Sequence, residues 1–189
     1  MKTALLAAAC VIAVAGCASS PSSTSRAPAA TPQAPAVSTA KSARVVLAPA
    51  SGSLVSGTLR LMPMADGVHL TGEVGGLTPG STHAIHIHEK GDCSAADASS
   101  AGGHFNPTGE PHGKVGTPTH HAGDMNNIVA NAEGVAKVDV HAQGVVLGGG
   151  AANDGVGRAV VVHAAADDYT SQPSGNAGAR VACGVIRGG

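Results

Sequence analysis

Short runs of alternating apolar and polar residues recur along the chain from residue 43 onward. In residues 68–74, Val68 and Leu70 share one face of an extended strand, and His69 and Thr71 share the other. Clusters of Gly, Pro and Ser separate the runs, and no convincing helical period interrupts them. The pattern therefore predicts short strands joined by turns.

About eight such strands are expected, which predicts an all-β fold, an antiparallel sandwich or barrel. Glu133-Gly134 is the predicted turn of a hairpin. The predicted strands cover residues 43–49, 53–62, 68–74, a run centred on His86, and residues 126–132, 135–141, 158–164 and 179–187.

One predicted strand carries candidate chemistry. Residues 82–93 read T-H-A-I-H-I-H-E-K-G-D-C. Alternation places His86 and His88 on one face and the neighbouring isoleucines on the other. Two imidazoles on one face suit a metal ion, and the isoleucines suit a core. The alternative is a half-exposed strand in which the histidines have no ligand role.

Composition supports a metal protein. Ten histidines in 189 residues is a high number and is a first hint of metal binding. The chain has no Trp, one Tyr and one Phe, so its core must consist of aliphatic side chains. The net charge of −1, without a basic cluster, argues against nucleic acid as a partner.

The N-terminus has the pattern of a secretory signal. Lys2 precedes an apolar run, residues 4–15, that is too short to span a bilayer. The run ends V-A-G-C, which resembles the lipobox of bacterial lipoproteins and implies cleavage of residues 1–16 and lipidation of Cys17. Cleavage as an ordinary signal, after residue 15 or 18, is the alternative.

Residues 17–42 are rich in Ala, Ser, Thr and Pro and show no apolar period. We interpret them as a tether that holds a domain, residues 43–189, away from a membrane. The expected location is the periplasm or cell envelope, with the protein attached to the membrane through lipidated Cys17.

This interpretation also assigns the four cysteines. Cys10 leaves with the signal and Cys17 carries lipid, so Cys93 and Cys183 remain as a pair in an oxidising compartment, where disulfides persist. Two free buried thiols are the alternative.

Residues 89–123 and 165–178 are long stretches with few apolar positions, and loops of this length are usually functional or disordered. No free cysteine is expected at the site, which argues against a blue-copper centre, whereas imidazoles with one carboxylate suit copper or zinc. The candidate ligands, partly in these loops, are His86, His88, His104, His112, His121, Asp124 and His163.

Five runs give the chain a specific resemblance. Residues 43–189 resemble the bacterial Cu/Zn superoxide dismutases, which implies an eight-stranded Greek-key sandwich or barrel, immunoglobulin-like in architecture, with two long functional loops. The matching runs are H-I-H-E-K-G-D-C (86–93), S-A-G-G-H-F-N-P (100–107), H-A-G-D (121–124), V-V-H-A-A-A-D-D (161–168) and G-N-A-G-A-R-V-A-C-G-V-I (175–186).

The resemblance implies two metal sites that share His104 as a bridging imidazolate. The implied copper ligands are His86, His88, His104 and His163. The implied zinc ligands are His104, His112, His121 and Asp124. His120 is the alternative to His121, although the H-x-x-D spacing favours His121.

Other residues also match the family pattern. Asp167 corresponds to a carboxylate that hydrogen-bonds ligands of both metals, and Arg180 to the arginine that attracts the anionic substrate. Cys93 and Cys183 correspond to the family disulfide.

The resemblance implies an enzyme that converts superoxide to dioxygen and hydrogen peroxide by alternating Cu(II) and Cu(I), with Arg180 and His104 as catalytic residues and zinc in a structural role. The alternatives are a lipid-anchored copper and zinc buffer, and a copper-only relative. The sequence is compatible with a homodimer, and Lys90 and Lys114 are candidates for additional steering of the anion.

The lipid anchor is testable through Cys17. Replacing it as Cys17→Ser removes the only residue that the lipobox would acylate, so the protein should move from the membrane fraction to the soluble periplasmic fraction. Cell fractionation measures the distribution. Unchanged membrane association would contradict the anchor.

Overall fold

The structure is a computed structural model that describes residues 36–189, and it contains ten β-strands and a three-residue 3-10 helix, Ser99–Ala101, in that range. The predicted signal peptide and most of the tether lie outside the described residues. The strands are β1 (Ala43–Pro49), β2 (Ser56–Pro63), β3 (Gly67–Gly75), β4 (Thr82–His83), β5 (Ile85–His88), β6 (Ile128–Val129), β7 (Ala136–Gln143), β8 (Ala159–His163), β9 (Arg180–Val185) and β10 (Arg187–Gly188).

The strands form one nearly closed antiparallel barrel, which confirms the predicted all-β fold. Eight strands build a single sheet in the order β5-β8-β9-β1-β2-β3-β7, with β10 paired to β1. β4 and β6 form a second, two-stranded sheet. Within residues 36–189 no helix is long and apolar enough to cross a membrane.

The barrel core follows from the alternation in the sequence. Inward positions of β1, β2 and β3, such as Val45, Leu59 and Leu70, are fully buried, and β5 adds Ile85 and Ile87. Aliphatic side chains thus fill the interior of a protein that has almost no aromatic residues.

The predicted hairpin around Glu133-Gly134 is wrong in extent. Its first strand is only Ile128–Val129, which pairs with β4, and a single bridge joins Ala130 to Ala136. The physical reason is Asn131, whose side-chain oxygen accepts the backbone N–H groups of Glu133 and Val135. These bonds compete with the strand ladder and turn the chain early.

The segment just before β1 already lies against the barrel. The backbone N–H groups of Thr39 and Ala40 donate to the carbonyl of Leu147, and the Leu147 N–H donates to Ser38 Oγ. The chain therefore reaches β1 along a defined path.

The predicted disulfide is confirmed. Cys93 and Cys183 are bonded across a sequence separation of 90 residues and join the loop after β5 to β9. A small second apolar cluster packs beside the bond and includes Ala98, Ala101 and Val161. The disulfide thus holds the start of the long loop against the sheet.

Removing the disulfide as Cys93→Ser should lower the free energy of unfolding by about 2–4 kcal/mol, because the unfolded chain loses a long-range constraint. Denaturant unfolding of the oxidised protein and the variant measures the difference. Wild type under reducing conditions is the matched control and should unfold like the variant. Equal free energies of unfolding for oxidised wild type and the variant would contradict this role.

Candidate metal centre

β5 places His86 and His88 on the outside of the barrel while Ile85 and Ile87 face the core, as the alternation predicts. β5 is the last strand of the large sheet, so one of its edges is not paired to another strand of that sheet. The long loop that follows β5 covers this edge.

The loop pairs with β5 through its backbone. The N–H of Phe105 donates to the carbonyl of Ile87 at 2.8 Å, and the N–H of Ile87 donates to the carbonyl of Gly123 at 2.9 Å. These bonds bring His104 and Asp124, the neighbours of Phe105 and Gly123, next to the histidines of β5.

Gly123 is required by this pairing. A Cβ at position 123 would lie 2.2 Å from the Ile87 carbonyl oxygen and 2.9 Å from the Phe105 nitrogen. Both atoms belong to backbone that is already hydrogen-bonded, so neither can move aside cheaply. The H-A-G-D run therefore places Asp124 through a close backbone approach.

The first donor group consists of four buried histidines whose ligand atoms all lie within 4.8 Å of one another: His86, His88, His104 and His163. The Nε2 atoms of His88 and His163 are 3.4 Å apart. Two nitrogens bound to one ion at about 2.0–2.1 Å lie at most about 4.2 Å apart, so this spacing suits a single metal ion.

Hydrogen bonds orient three of these rings. His88 Nδ1 donates to the carbonyl of Gly102 at 2.9 Å, and His86 Nε2 donates to Asp167 Oδ2 at 2.9 Å. His163 Nδ1 lies 3.4 Å from the carbonyl of Gly178. Each ring thus has its second nitrogen free to face the centre of the group.

Burial keeps His88, His104 and His163 neutral. It lowers the pKa of His88 to about 2, with the neighbouring His104 contributing, and the pKa of His163 to about 3, with His86 contributing. Burial also lowers the pKa of His104 to about 4 although Asp124 opposes the shift. Neutral imidazoles are the form that binds a metal.

The second donor group consists of four buried residues whose ligand atoms also lie within 4.8 Å: His104, His112, His121 and Asp124. Asp124 Oδ1 lies 2.8 Å from His104 Nδ1, 3.0 Å from His112 Nδ1 and 3.3 Å from His121 Nδ1. Donors of a tetrahedral zinc ion are about 3.3 Å apart, which these distances approach.

Hydrogen bonds from the backbone fix the carboxylate of Asp124. Its Oδ2 accepts the N–H of His121 at 2.8 Å and the N–H of Gly113 at 3.1 Å. Although burial acts in the opposite direction, hydrogen bonds to His104, His112 and His121 hold the pKa of Asp124 well below its usual range. The carboxylate is therefore ionised and ready to bind a cation.

His104 contributes a different nitrogen to each group. Its Nδ1 lies in the second group, 3.3 Å from His121 Nδ1. Its Nε2 is buried without a hydrogen-bond partner, and so is His86 Nδ1 in the first group. Unpaired buried nitrogens are costly unless they bind something, so both donor groups fit a metal ion.

Arg180 lies at the wall of a cavity of about 410 Å³ that is also lined by His88, His104 and His163. Its guanidinium donates to the carbonyls of Ala98 and Gly102, both at 2.6 Å. These carbonyls belong to the loop that the disulfide holds, so Arg180 presents a fixed positive charge beside the first donor group.

Comparison with known proteins agrees with this geometry. The family description "Copper/zinc superoxide dismutase (SODC)" matches residues 55–186. The chain belongs to the copper/zinc superoxide dismutase family.

Relatives support the membership along most of the chain. A Cu-Zn superoxide dismutase of Aquifex aeolicus is 44% identical over 137 residues, covering 70% of this chain and 80% of the relative. A Cu-Zn superoxide dismutase of Caulobacter vibrioides is 41% identical over 151 residues, covering 77% of this chain and 86% of the relative.

Solved structures agree on the fold. A SOD-like protein from Bacillus subtilis is 37% identical with a TM-score of 0.68, covering 75% of this chain and 96% of that structure. The clock protein EA4 is 38% identical with a TM-score of 0.69, covering 80% of this chain and 97% of that structure.

Asp167 joins the two donor groups of the dismutase fold. Its Oδ2 accepts from His86 Nε2 and its Oδ1 accepts from His112 Nε2, both at 2.9 Å. Although burial acts in the opposite direction, the hydrogen bonds from His112 and His86 lower the pKa of Asp167. One carboxylate therefore orients a ligand in each group.

Two amide side chains that sequence reasoning missed hold this arrangement. Asn127 Oδ1 accepts the N–H of Asp167, and Asn127 Nδ2 donates to its carbonyl, both at 2.9 Å. Gln172 pairs with the backbone N–H and carbonyl of His112 in the same way, again at 2.9 Å. Neither residue has a ligand-type side chain, so no sequence signal could have found them.

The other histidines lie outside both donor groups. His120 contacts the Gln143 side chain and the His121 carbonyl, so His121 is the member of the pair that reaches the second group. His83 is buried and donates from Nδ1 to the carbonyl of His163 at 2.8 Å, so it holds the end of β8 in place. His69 and His141 are partly exposed beside Asp139 and Asp66.

Of the two candidate steering lysines, Lys114 has its Nζ 5.3 Å from the centroid of the Tyr169 ring, a cation–π contact. Tyr169 belongs to the loop between β8 and β9, so Lys114 links the two long loops. Lys90 is exposed.

Gly175 is the second glycine that the site requires, and it gives a test. Its φ is 70°, and a Cβ there would lie 1.8 Å from Asp167 Oδ1 and 2.8 Å from His112 Nε2. Gly175→Ala should therefore break the Asp167–His112 hydrogen bond and weaken zinc retention about 10–100-fold. Chelator competition measures the retention.

Gly80→Ala is the matched control, because Gly80 has a φ of 72° and no atom within 4 Å of the added Cβ. Both variants carry similar backbone strain, but only Gly175→Ala should release zinc more readily. Equal zinc retention in the two variants would contradict the role assigned to the Asp167–His112 contact.

Proposed function

We propose that this protein dismutates superoxide, converting two superoxide anions and two protons into dioxygen and hydrogen peroxide. The observation that carries the proposal is His104, which gives one nitrogen to each of two buried donor groups beside a cavity that contains a fixed arginine. Membership of the family supports the same reaction.

The first donor group would hold copper and the second would hold zinc. All-imidazole donors suit copper, and three imidazoles with one carboxylate suit zinc. Copper, when bound, supplies the one-electron chemistry by alternating between Cu(II) and Cu(I). Zinc has no redox chemistry, so its contribution is structural and electrostatic.

The histidines and Asp167 set the geometry in which that chemistry occurs. His88 and His163 offer neutral nitrogens whose rings are held by backbone carbonyls, and Asp167 holds His86. His104 Nε2 faces the copper side and is the atom at which a proton can be held and passed to the departing product.

Arg180 would bind the substrate anion. Its guanidinium is held by two carbonyls, so its charge is already in place when the anion arrives. A fixed positive charge at the wall of the cavity both attracts superoxide and stabilises the negative charge that develops on peroxide.

The proposal extends to the location of the enzyme. The lipobox-like run and the Pro-rich segment support a lipoprotein in the periplasm, anchored at Cys17, with residues 17–42 as the tether between the lipid and the barrel. The enzyme would then consume superoxide at the cell envelope.

Substitution of Arg180 distinguishes an enzyme from a protein that only buffers copper and zinc. Arg180→Gln leaves both donor groups intact, so bound copper and zinc should be unchanged while the rate of superoxide consumption falls about tenfold or more. Pulse radiolysis measures the rate, and elemental analysis measures the metals.

Lys137→Gln, which removes one exposed cation from β7, is the matched control and should retain the wild-type rate. A wild-type rate in Arg180→Gln would contradict the role of the arginine. Failure of the metal-loaded wild type to consume superoxide would overturn the proposed reaction and favour the alternative, a protein that buffers copper and zinc.

A further inference from the structure

The outer face of the barrel carries three arginines in one row. Arg44 of β1 is the direct cross-strand partner of Arg60 of β2 on one side and of Arg187 of β10 on the other. Directly paired residues point to the same face of a sheet, and all three side chains are exposed. Neighbouring strands are about 4.8 Å apart, so the row spans about 10 Å.

No carboxylate among the described residues lies within 4.0 Å of these guanidinium groups. Two acidic residues of the same face have other neighbours: Glu73 is the direct cross-strand partner of Lys137, and Asp139 contacts His69 at 2.6 Å. Like charges directly opposite one another in a sheet are destabilising. The row therefore keeps an electrostatic cost that a bound anion would relieve.

The three arginines line one shallow depression of about 610 Å³. Ser42, the residue just before β1, lies at its border. Guanidinium groups recognise phosphate oxygens through paired N–H donors, and a row of them suits several phosphates better than one small ion.

Exposed apolar side chains flank the row on both sides. Val46, two residues after Arg44, is 58% exposed, and Met62, two residues after Arg60, is 38% exposed. Because β1 and β2 are antiparallel, these side chains lie on opposite sides of the row. Cations beside exposed apolar groups are the pattern of a surface that rests at a membrane interface.

We propose that this face, defined by Arg44, Arg60 and Arg187, docks the barrel onto the phosphate headgroups of an anionic lipid surface. The charge complementarity and the flanking apolar residues carry the proposal, and it requires neither lipidation of Cys17 nor dismutase activity. Docking would hold the barrel against the membrane in one orientation, with this face toward the lipid.

The test compares vesicles of phosphatidylglycerol mixed with phosphatidylcholine against vesicles of phosphatidylcholine alone. Every protein in the test is the metal-loaded full chain with Cys17→Ser, so none of them is lipidated. The N-terminal apolar run is present in all of them and adds equally to their binding to both vesicle types. The readout is the ratio of co-sedimentation on the two vesicles. Replacing the three arginines by Gln should lower this ratio about a hundredfold, since each cation near an anionic surface contributes about fivefold.

The matched control replaces Lys90, Lys114 and Lys137 by Gln, which removes the same net charge from positions outside the arginine row and its depression. It should keep most of the preference for anionic vesicles. An equal loss in both triple variants would overturn the proposal, because net charge alone would explain it.

Adding inorganic phosphate distinguishes two interpretations of the arginine row, a surface that docks on lipid headgroups and a site for a free phosphate ion. Adding phosphate should shift the thermal unfolding midpoint of the wild type no more than that of the arginine variant. At constant ionic strength it should not abolish binding of the wild type to the vesicles. If phosphate does both, the row is a site for a free phosphate ion and the docking surface is overturned.

Discussion

Backbone pairing along the outer edge of β5 is the constraint on which the metal centre depends. β5 would otherwise end the large sheet with unpaired N–H and C=O groups, and the long loop satisfies them at Ile87 through Phe105 and Gly123. The same bonds carry His104 and Asp124 to the histidines of β5. A loop with few apolar residues thus acquires a fixed path from hydrogen bonds to a strand rather than from burial.

Alternation predicted β1 with its observed bounds and predicted the inward isoleucines of β5, because strand periodicity reports burial directly. The candidate ligands were also visible, since few residue types bind copper or zinc. The hairpin around Glu133-Gly134 failed because one side chain, Asn131, redirected the backbone. Local propensity does not reveal such competition between a side chain and a ladder.

The contacts that hold the ligands in place could not be read from the sequence. Asn127 and Gln172 act on backbone groups of Asp167 and His112 that lie 40 and 60 residues away. Gly175 matters only because Asp167 and His112 meet beside it. Each role arises from proximity that the fold creates, whereas a ligand role is inherent in an imidazole or carboxylate.

The position of His104 has a thermodynamic consequence for the two ions. Its ring belongs to both donor groups, so an ion held at Nδ1 would fix the ring, leave its one proton on Nε2 and make that proton easier to lose, after which Nε2 could take the second ion. The free energies of binding of the two ions are then coupled, and the coupling is reciprocal: whatever factor zinc adds to the affinity for copper, copper adds to the affinity for zinc. A shortage of one metal would therefore also change the affinity of the protein for the other, by that same factor.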